Sequence, residues 1–336
     1  MHLQNSQQNL TVQKYVAALS VVLFAIKLFA WILTGSIAIL TDALESIVNV
    51  IAGFIGLYSL YISAKPKDAD HPYGHGKVEF ISAAIEGTLI AVAGSFIIYE
   101  AANNLQHPHT LRKLDYGIIL VAVTAVVNFV AGMYCERIGR KNNSLALIAS
   151  GKHLKSDTYT TGGIVAGLIL MYFTRIPWID SAVAMLFALI IIFTGYKIIR
   201  SSIAGIMDEA DEQLLTDLVH TLNENRRVDW VDMHNLRIIK YGAMLHLDCH
   251  LTVPWYYNVH EAHQAVDALS EIARKKYGES VELFVHSDGC MDFSCPICNK
   301  FDCPVRKHPF EKRIEWTVQN ILDNNKHTIH SADGKA

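Results

Sequence analysis

The chain has 336 residues, a formal net charge of −3, a mean hydropathy of +0.23 and only 18% charged residues. Residues 1–200 hold 15 Lys and Arg against 11 Asp and Glu, whereas residues 201–336 hold 14 against 21. An apolar, charge-poor first part followed by a charged second part excludes a single soluble domain and a disordered chain. The sequence has no basic block that could neutralise phosphates, so nothing in it supports nucleic-acid binding.

Six windows are long and apolar enough to cross a bilayer, which takes about 20 helical residues. They cover approximately Tyr15–Leu33, Ile37–Ile62, Val78–Asn103, Tyr116–Tyr134, Leu145–Phe173 and Trp178–Ile199. Six spans place both termini on one side, and the segments on that side are the more basic. They carry Lys65, Lys67, Lys77, Arg137, Arg140, Lys141 and Arg200, against Arg112, Lys113 and Arg175 opposite. By the positive-inside rule we expect cytoplasmic termini in a bacterial inner (plasma) membrane protein.

The second and fifth windows carry polar pairs, which are costly inside a bilayer and usually mark a site or a pathway. Glu45 and Asn49 are four residues apart, as are His153 and Asp157, so each pair shares one helix face. Four such ligands suit a tetrahedral divalent cation. The alternative is that these side chains are hydrogen-bonding or ion-pairing partners between helices.

Two further ionisable residues lie in the first two windows. Asp42, one turn before Glu45, is interpreted as an entry group or a helix cap. Lys27 is interpreted as a snorkelling or paired side chain.

The loop after the second window reads DADHPYGH over residues 68–75, with two aspartates and two histidines. Pro72 and Gly74 favour a bend that would bring these side chains together. The loop therefore predicts a surface metal site.

The second part of the chain predicts a small α+β ferredoxin-like domain in the order αββαβ. Its elements are a helix Glu209–Glu224, strands Val231–Ile239 and Met244–Val253, a helix Val259–Lys276 and a strand Ser280–Val285. The second strand places His246, Asp248 and His250 on one face.

Together these motifs resemble the cation diffusion facilitator family over about residues 12–290. The resemblance implies a homodimeric antiporter that exports divalent cations from the cytoplasm in exchange for protons. It implies Zn²⁺ as transported and regulatory metal, with Fe²⁺, Co²⁺, Cd²⁺ and Mn²⁺ as further candidates, and membrane lipid as the surroundings. It also implies a six-helix transmembrane domain over 1–205 and a cytoplasmic metal-binding dimerisation domain over 206–289. A Cys-rich tail over 290–336 follows beyond the resemblance.

The resemblance also assigns residues. The transport site would be Glu45, Asn49, His153 and Asp157, with His153 and Asp157 coupling protons; the loop site would be Asp68, His71 and His75; the cytoplasmic regulatory site would be His234, His250, His263, His286 and Asp288; Lys77 and Asp208 would form a dimer latch. Many members carry Asp or His in place of Glu45 and Asp in place of Asn49. This departure leaves the identity of the metal open.

Two rival functions remain at this point. A membrane-anchored metal sensor would use the spans only to hold a dimer and would tolerate loss of Asp157. A metalloenzyme would need a base or nucleophile beside an open coordination position, and the sequence has no HExxH, GxSxG or P-loop motif. We therefore expect no enzyme activity.

The tail contains Cys290, Cys295, Cys298 and Cys303 in the spacing C-x4-C-x2-C-x4-C. In a reducing cytosol, thiols bind metal more often than they form disulfides. This spacing predicts a four-cysteine zinc knuckle, with an iron–sulfur centre or free thiols as alternatives.

Overall fold

The structure is a computed structural model that describes residues 2–63, 65–106, 113–141, 145–241, 244–278 and 281–329. Arg112, Ser280 and the end of the tail after residue 329 lie outside these ranges. The chain divides into a helical unit, Met1–Tyr61 with Phe80–Ile203, and a second unit, Ile62–Glu79 with Ala204–Ala336.

The helical unit is built on six long helices. They are α1 (His2–Thr34), α2 (Ile37–Ser63), α3 (Val78–Gln106), α4 (Leu114–Lys141), α5 (Leu145–Thr174) and α6 (Trp178–Ile206). Within the described residues, the five other than α5 are long and apolar enough to cross a membrane. α5 does not meet that measure, because Lys152, Lys155 and Asp157 in its first half leave too short an apolar stretch. A helical membrane domain followed by a small α/β domain is confirmed.

Close backbone contacts hold the helices in pairs. A Cβ on Gly151 of α5 would lie 2.7 Å from the carbonyl oxygen of Gly132 in α4. Likewise, a Cβ on Gly195 of α6 would lie 2.8 Å from the carbonyl oxygen of Gly87 in α3. Small residues at such crossings let membrane helices approach closely and gain van der Waals contact. The α4–α5 crossing fixes the start of α5, which carries His153 and Asp157.

A buried carboxylate fixes the start of α2. Asp180, at the start of α6, accepts hydrogen bonds from the Ser36 hydroxyl at 2.6 Å and the Ile37 backbone N–H at 2.7 Å. The negative charge satisfies free N–H groups and complements the positive end of the helix dipole. Asp42, in contrast, does not cap α2.

The second unit is centred on a three-stranded sheet. Its elements are α7 (Glu212–Glu224), β1 (Asp232–Tyr241), β2 (Met244–Val253), α8 (Val259–Tyr277) and β3 (Val281–Gly289), in strand order β1-β2-β3. β1 and β2 are antiparallel, and β2 and β3 are parallel. Leu247, Cys249 and Leu251 are buried in a core that α7 and α8 share. The neighbouring positions of β2 point to the opposite face of the sheet.

Asp211 begins α7. Its carboxylate pairs with Lys240 and accepts the backbone N–H of Leu214 at 2.9 Å. These two contacts, the Lys240 one being the larger, hold the pKa of Asp211 below its usual range.

The tail after β3 folds back onto this unit. It contains a 3-10 helix (Asp292–Ile297) and a short helix α9 (Val318–Ile321). Trp316 is 1% exposed and belongs to the core of the sheet. The guanidinium of Arg226 stacks 3.9 Å from its ring centre and donates to the Ile314 carbonyl at 2.7 Å. The described tail is therefore part of the domain and not an appendage.

Candidate metal centres

The polar pairs of α2 and α5 meet in the helical unit. The Asn49 amide donates to the Asp157 carboxylate at 3.2 Å, and His153 Nε2 lies 3.8 Å from the same oxygen. These three side chains line a cavity of about 70 Å³ together with Ser46 and Asn128. Glu45 is half-buried one turn before Asn49 and lies within electrostatic range of Asp157. We call Glu45, Asn49, His153 and Asp157 the helix cluster.

The helix cluster offers one imidazole, two carboxylates and one amide. The His153 side chain is 53% exposed and the Asp157 side chain 15%, so a cation could approach from the imidazole side. Asn49 turns its NH₂ group to Asp157 in this arrangement. To bind a cation, the amide would have to present its oxygen instead, since an NH₂ group is a donor only.

A buried ion pair lies beside the helix cluster. The Lys27 ammonium is 2.9 Å from Asp42 Oδ1 and 3.0 Å from the Ser46 hydroxyl. Thr161 of α5 donates to the same Asp42 oxygen at 2.7 Å. Of the two interpretations of Lys27, the structure selects pairing. Ser46 connects this pair to the cavity, because it also lines the cavity wall.

The loop between α2 and α3 forms a compact ligand group. His71 Nδ1 lies 3.0 Å from Asp68 Oδ1, and His75 Nε2 lies 3.3 Å from Asp68 Oδ2. The turn depends on Gly74, whose φ of +92° disfavours other residues. The backbone N–H of His71 donates to Asp68 and holds the pKa of this carboxyl below its usual range. We call Asp68, His71 and His75 the loop cluster.

The loop cluster rests on the sheet of the same unit. Tyr73 stacks on Tyr241 with ring centres 5.7 Å apart, and Lys67 pairs with Glu282 at 2.6 Å. Lys77 and Asp208 form the expected ion pair at 2.9 Å within one chain. Their contribution to a dimer stays a prediction.

The sheet carries a second ligand group. Asp288 Oδ2 lies 3.6 Å from His234 Nε2 and 3.4 Å from His250 Nδ1, and Asp288 Oδ1 lies 3.5 Å from His286 Nε2. Each strand contributes, because His234 pairs with His250 across β1 and β2, and His250 pairs with His286 across β2 and β3. We call His234, His250, His286 and Asp288 the sheet cluster. His263 stands apart from it within this chain, exposed on α8 and 3.6 Å from Asp267.

Three residues around the sheet cluster are absent from the sequence prediction. Asp232 lies 3.6 Å from His234 Nδ1 and accepts the His327 backbone N–H at 2.9 Å. Burial would raise the pKa of Asp232, but its contacts with His234 and His327 outweigh this effect and lower it. Lys326 lies 3.8 Å from Asp288. The alternation of β1 could have indicated Asp232, but residues 326 and 327 come from a segment without periodicity.

Among the described residues, two groups bring three or more ligand atoms within 4.8 Å of one another: Asp68, His71 and His75; and His234, His250 and Asp288. Two of the three sites implied by the resemblance thus have convergent donors in a single chain. The helix cluster converges less tightly.

Comparison with known proteins fits this geometry. A family model described as the cation efflux transmembrane domain matches residues 14–207, and one described as the cation efflux protein cytoplasmic domain matches residues 210–290. The chain belongs to the cation diffusion facilitator family. It is therefore an integral membrane transporter of divalent metal cations and not an enzyme.

Relatives in the family cover most of both chains. An uncharacterised transporter of Synechocystis is 30% identical over 76% of this chain and 83% of its own. The cation-efflux pump FieF of Pectobacterium atrosepticum is 26% identical over 81% of this chain and 89% of its own. The magnetosome protein MamM of Magnetospirillum gryphiswaldense is 28% identical over 75% of this chain and 79% of its own.

Proposed function

We propose that this transporter exports Zn²⁺ from the cytoplasm in exchange for protons, as a homodimer in the bacterial inner membrane with both termini cytoplasmic. The observation that carries the proposal is the meeting of Asn49 from α2 with His153 and Asp157 from α5 at one cavity in the helical unit. The relatives named as cation-efflux pumps support the outward direction.

The donor set favours a transition metal. An imidazole nitrogen suits Zn²⁺, Fe²⁺ and Co²⁺, whereas Mg²⁺ and Ca²⁺ prefer shells of oxygen. With an amide at position 49, the helix cluster brings two carboxylates against a charge of +2. We propose Zn²⁺ as the principal cargo, with Fe²⁺, Co²⁺, Cd²⁺ and Mn²⁺ as weaker substrates.

Proton exchange follows from the same ligands. A bound cation favours the deprotonated forms of His153 and Asp157, so loading from the cytoplasm releases protons. When the cavity opens outward, external protons compete for these two side chains and release the metal. Histidine suits this exchange because its unperturbed pKa of about 6.5 lies near working pH.

We assign the sheet cluster a regulatory role and the loop cluster the role of a further metal site. Metal on the sheet cluster would favour one arrangement of the two protomers only if it binds that arrangement more tightly. His263 is free of the sheet cluster within its own chain and is available to complete the site of the partner subunit. Asp288→Ala should then weaken activation by cytosolic metal more than it lowers the maximal flux.

The test is metal flux into proteoliposomes with an imposed pH gradient. Asp157→Ala should abolish proton-driven Zn²⁺ flux while the protein still assembles. Asp115→Ala is the matched control, because Asp115 is an exposed carboxylate at the start of α4 in the same unit. Normal flux in Asp157→Ala would overturn the transport assignment and favour the membrane-anchored sensor.

A second measurement addresses the metal. Flux of Zn²⁺, Fe²⁺, Co²⁺, Cd²⁺ and Mn²⁺ is compared in the wild type and in Asn49→Asp. The added carboxylate should tighten Zn²⁺ binding and slow its release. Unchanged affinity and selectivity would mean that Asn49 does not touch the metal and only orients Asp157.

A further inference from the structure

The tail holds four cysteines that neither the transport proposal nor the family match explains. Cys295, Cys298 and Cys303 lie beyond residue 290, where the match to the cytoplasmic family model ends. Cys290 follows β3, and its backbone N–H donates to the Val253 carbonyl at 2.8 Å. We call these four residues the cysteine cluster. The two cysteines outside it, Cys135 and Cys249, are buried in α4 and β2.

Two tight turns arrange the thiols. The Cys298 backbone N–H donates to the Cys295 carbonyl at 3.2 Å, and the Cys303 N–H donates to the Lys300 carbonyl at 3.3 Å. The first turn places the side chains of Cys295 and Cys298, three residues apart, on one side of the chain, and the second turn fixes Cys303 relative to Lys300. Cys290 lies within electrostatic range of the other three thiols. Four sulfurs are thus gathered in one small region of the tail.

The Arg306 side chain bridges these two turns through hydrogen bonds. Arg306 donates to the carbonyls of Cys295 and Cys298, each at 2.9 Å, and of Lys300 at 2.8 Å. A guanidinium presents five donors in a fixed plane, so three carbonyls bound to it are held in a set geometry. The positive charge lies at the carbonyls of two of the four cysteines, from where it would help to offset a negatively charged metal–thiolate centre.

The surroundings of the thiols contain donors suited to thiolate sulfur. The backbone N–H of Trp255 faces the Cys290 sulfur. The Tyr256 hydroxyl is buried without a hydrogen-bond partner and lies beside Cys303. Metal-bound thiolates accept hydrogen bonds of this kind from the residues around them, and these bonds orient the ligands.

We propose that Cys290, Cys295, Cys298 and Cys303 form a structural Zn²⁺ site with four thiolate ligands. Binding replaces four S–H bonds with four Zn–S bonds and releases four protons to solvent, with no change of oxidation state. Among the described residues no three of these sulfurs lie within 4.8 Å of one another, so zinc ligation requires the sulfurs to close on one another. A zinc–sulfur bond is about 2.3 Å long, which requires such closure.

The site would hold the tail against the sheet cluster. Lys326 donates to the carbonyl of Gly289, the residue before Cys290, at 2.9 Å. His327 Nδ1 is hydrogen-bonded to the Asp232 carboxylate. A metal at the cysteine cluster would therefore fix the start of the tail, while Lys326 beside Asp288 and His327 beside Asp232 hold its end. This consequence is separate from transport and does not depend on the identity of the cargo.

The test uses full-length protein purified in detergent under reducing conditions and titrated with Co²⁺. Thiolate ligation gives Co²⁺ an intense near-ultraviolet charge-transfer band that nitrogen and oxygen ligands do not give. We expect this band to saturate at one Co²⁺ per chain and to disappear when Zn²⁺ is added. It should persist in Asp157→Ala/Asp288→Ala, which impairs the helix and sheet clusters.

The band should be lost in Cys295→Ser/Cys298→Ser and retained in the control Cys135→Ser. If the double variant fails to fold, Cys290→Ser should still fold and give a weaker, shifted band from three thiolates. A wild type without the band, or a double variant that keeps it, would overturn the proposal. Visible absorbance with bound iron and labile sulfide after anaerobic purification would replace zinc with an iron–sulfur centre. Zn²⁺ flux into proteoliposomes is measured in parallel. It tests the transport proposal separately, so either proposal can be refuted without the other.

Discussion

The Lys27–Asp42 pair allows a quantitative test of how this membrane domain tolerates buried charge. Their side chains are 1% and 2% exposed. The three ammonium protons of Lys27 match three neighbours, namely Asp42, Ser46 and Thr161. The pair therefore combines full burial with a partner for every ammonium proton, although Asp42 Oδ2 is buried without a hydrogen bond among the described residues. Attraction between the two charges has to offset the loss of hydration.

Removing one partner should cost far more than removing both. Lys27→Met leaves the Asp42 carboxylate buried without a counter-ion, and Asp42→Asn leaves the ammonium in the same position. Each single change should lower the free energy of unfolding by about 3–5 kcal/mol, roughly a 150- to 4,000-fold change in the folding equilibrium. The double variant is neutral and keeps an amide oxygen to accept from Thr161, so it should lose only about 1 kcal/mol.

The assay is reversible unfolding of the detergent-solubilised protein, followed by the helical circular dichroism signal. A double-mutant cycle over the four proteins then gives the coupling energy, which should exceed about 2 kcal/mol. Lys197→Met is the control, since Lys197 is an exposed lysine on α6, and it should change stability by less than about 0.5 kcal/mol. If the stability losses of the two single variants simply add in the double variant, the reasoning is refuted, because additivity would mean that water reaches the pair.

Three further expectations follow from the packing, the tail and a helix cap. Gly151→Ala should destabilise the membrane domain by about 1–3 kcal/mol through overpacking. Gly162→Ala on the same helix should not, since a Cβ there meets no atom within 4 Å. Thermal unfolding of both variants checks this difference. Lys326→Met should tighten metal binding to the sheet cluster, because it removes a cation 3.8 Å from Asp288; calorimetric titration measures the change. Asp211→Ala should lower the free energy of unfolding by about 1 kcal/mol at pH 7. Because the pKa of Asp211 is depressed in the folded protein, the difference from wild type should begin to shrink as the pH falls through the unperturbed carboxyl value of about 3.9 and should disappear below the depressed pKa. Denaturant unfolding at several pH values tests this expectation.

The sequence predicts the elements well where periodicity is strong. The apolar windows anticipate α1 to α6, and the strand Met244–Val253 agrees at both ends. The third strand is the exception, since it continues to Gly289 and not only to Val285. Its last residues alternate polar side chains without an apolar face, so the pattern gives no sign of a strand. Parallel pairing with β2 extends it, and this extension places His286 and Asp288.

The tail could not be predicted because its stability comes from distant contacts. Asn223 donates to the Trp316 carbonyl and Arg226 donates to the Ile314 carbonyl. Both partners lie about 90 positions earlier in the chain. Local propensity is weak in a segment interrupted by Pro304 and Pro309. Tertiary contacts decide the conformation there. The same contacts bring Lys326 to the sheet cluster, which sequence spacing alone could not reveal.

The hydrogen bond between Asn49 and Asp157 shows what an amide at position 49 changes compared with a carboxylate. A carboxylate there would set two negative charges about 3.2 Å apart across α2 and α5, where low dielectric makes such repulsion strong. Asn49 donates a hydrogen bond to Asp157 instead, which removes this repulsion. If Asn49 and Asp157 bind the cargo as proposed, the cation must break this hydrogen bond and turn the amide, which lowers the affinity for the metal. Weaker binding favours release on the outer side, and for a transporter that gain can outweigh the loss of affinity.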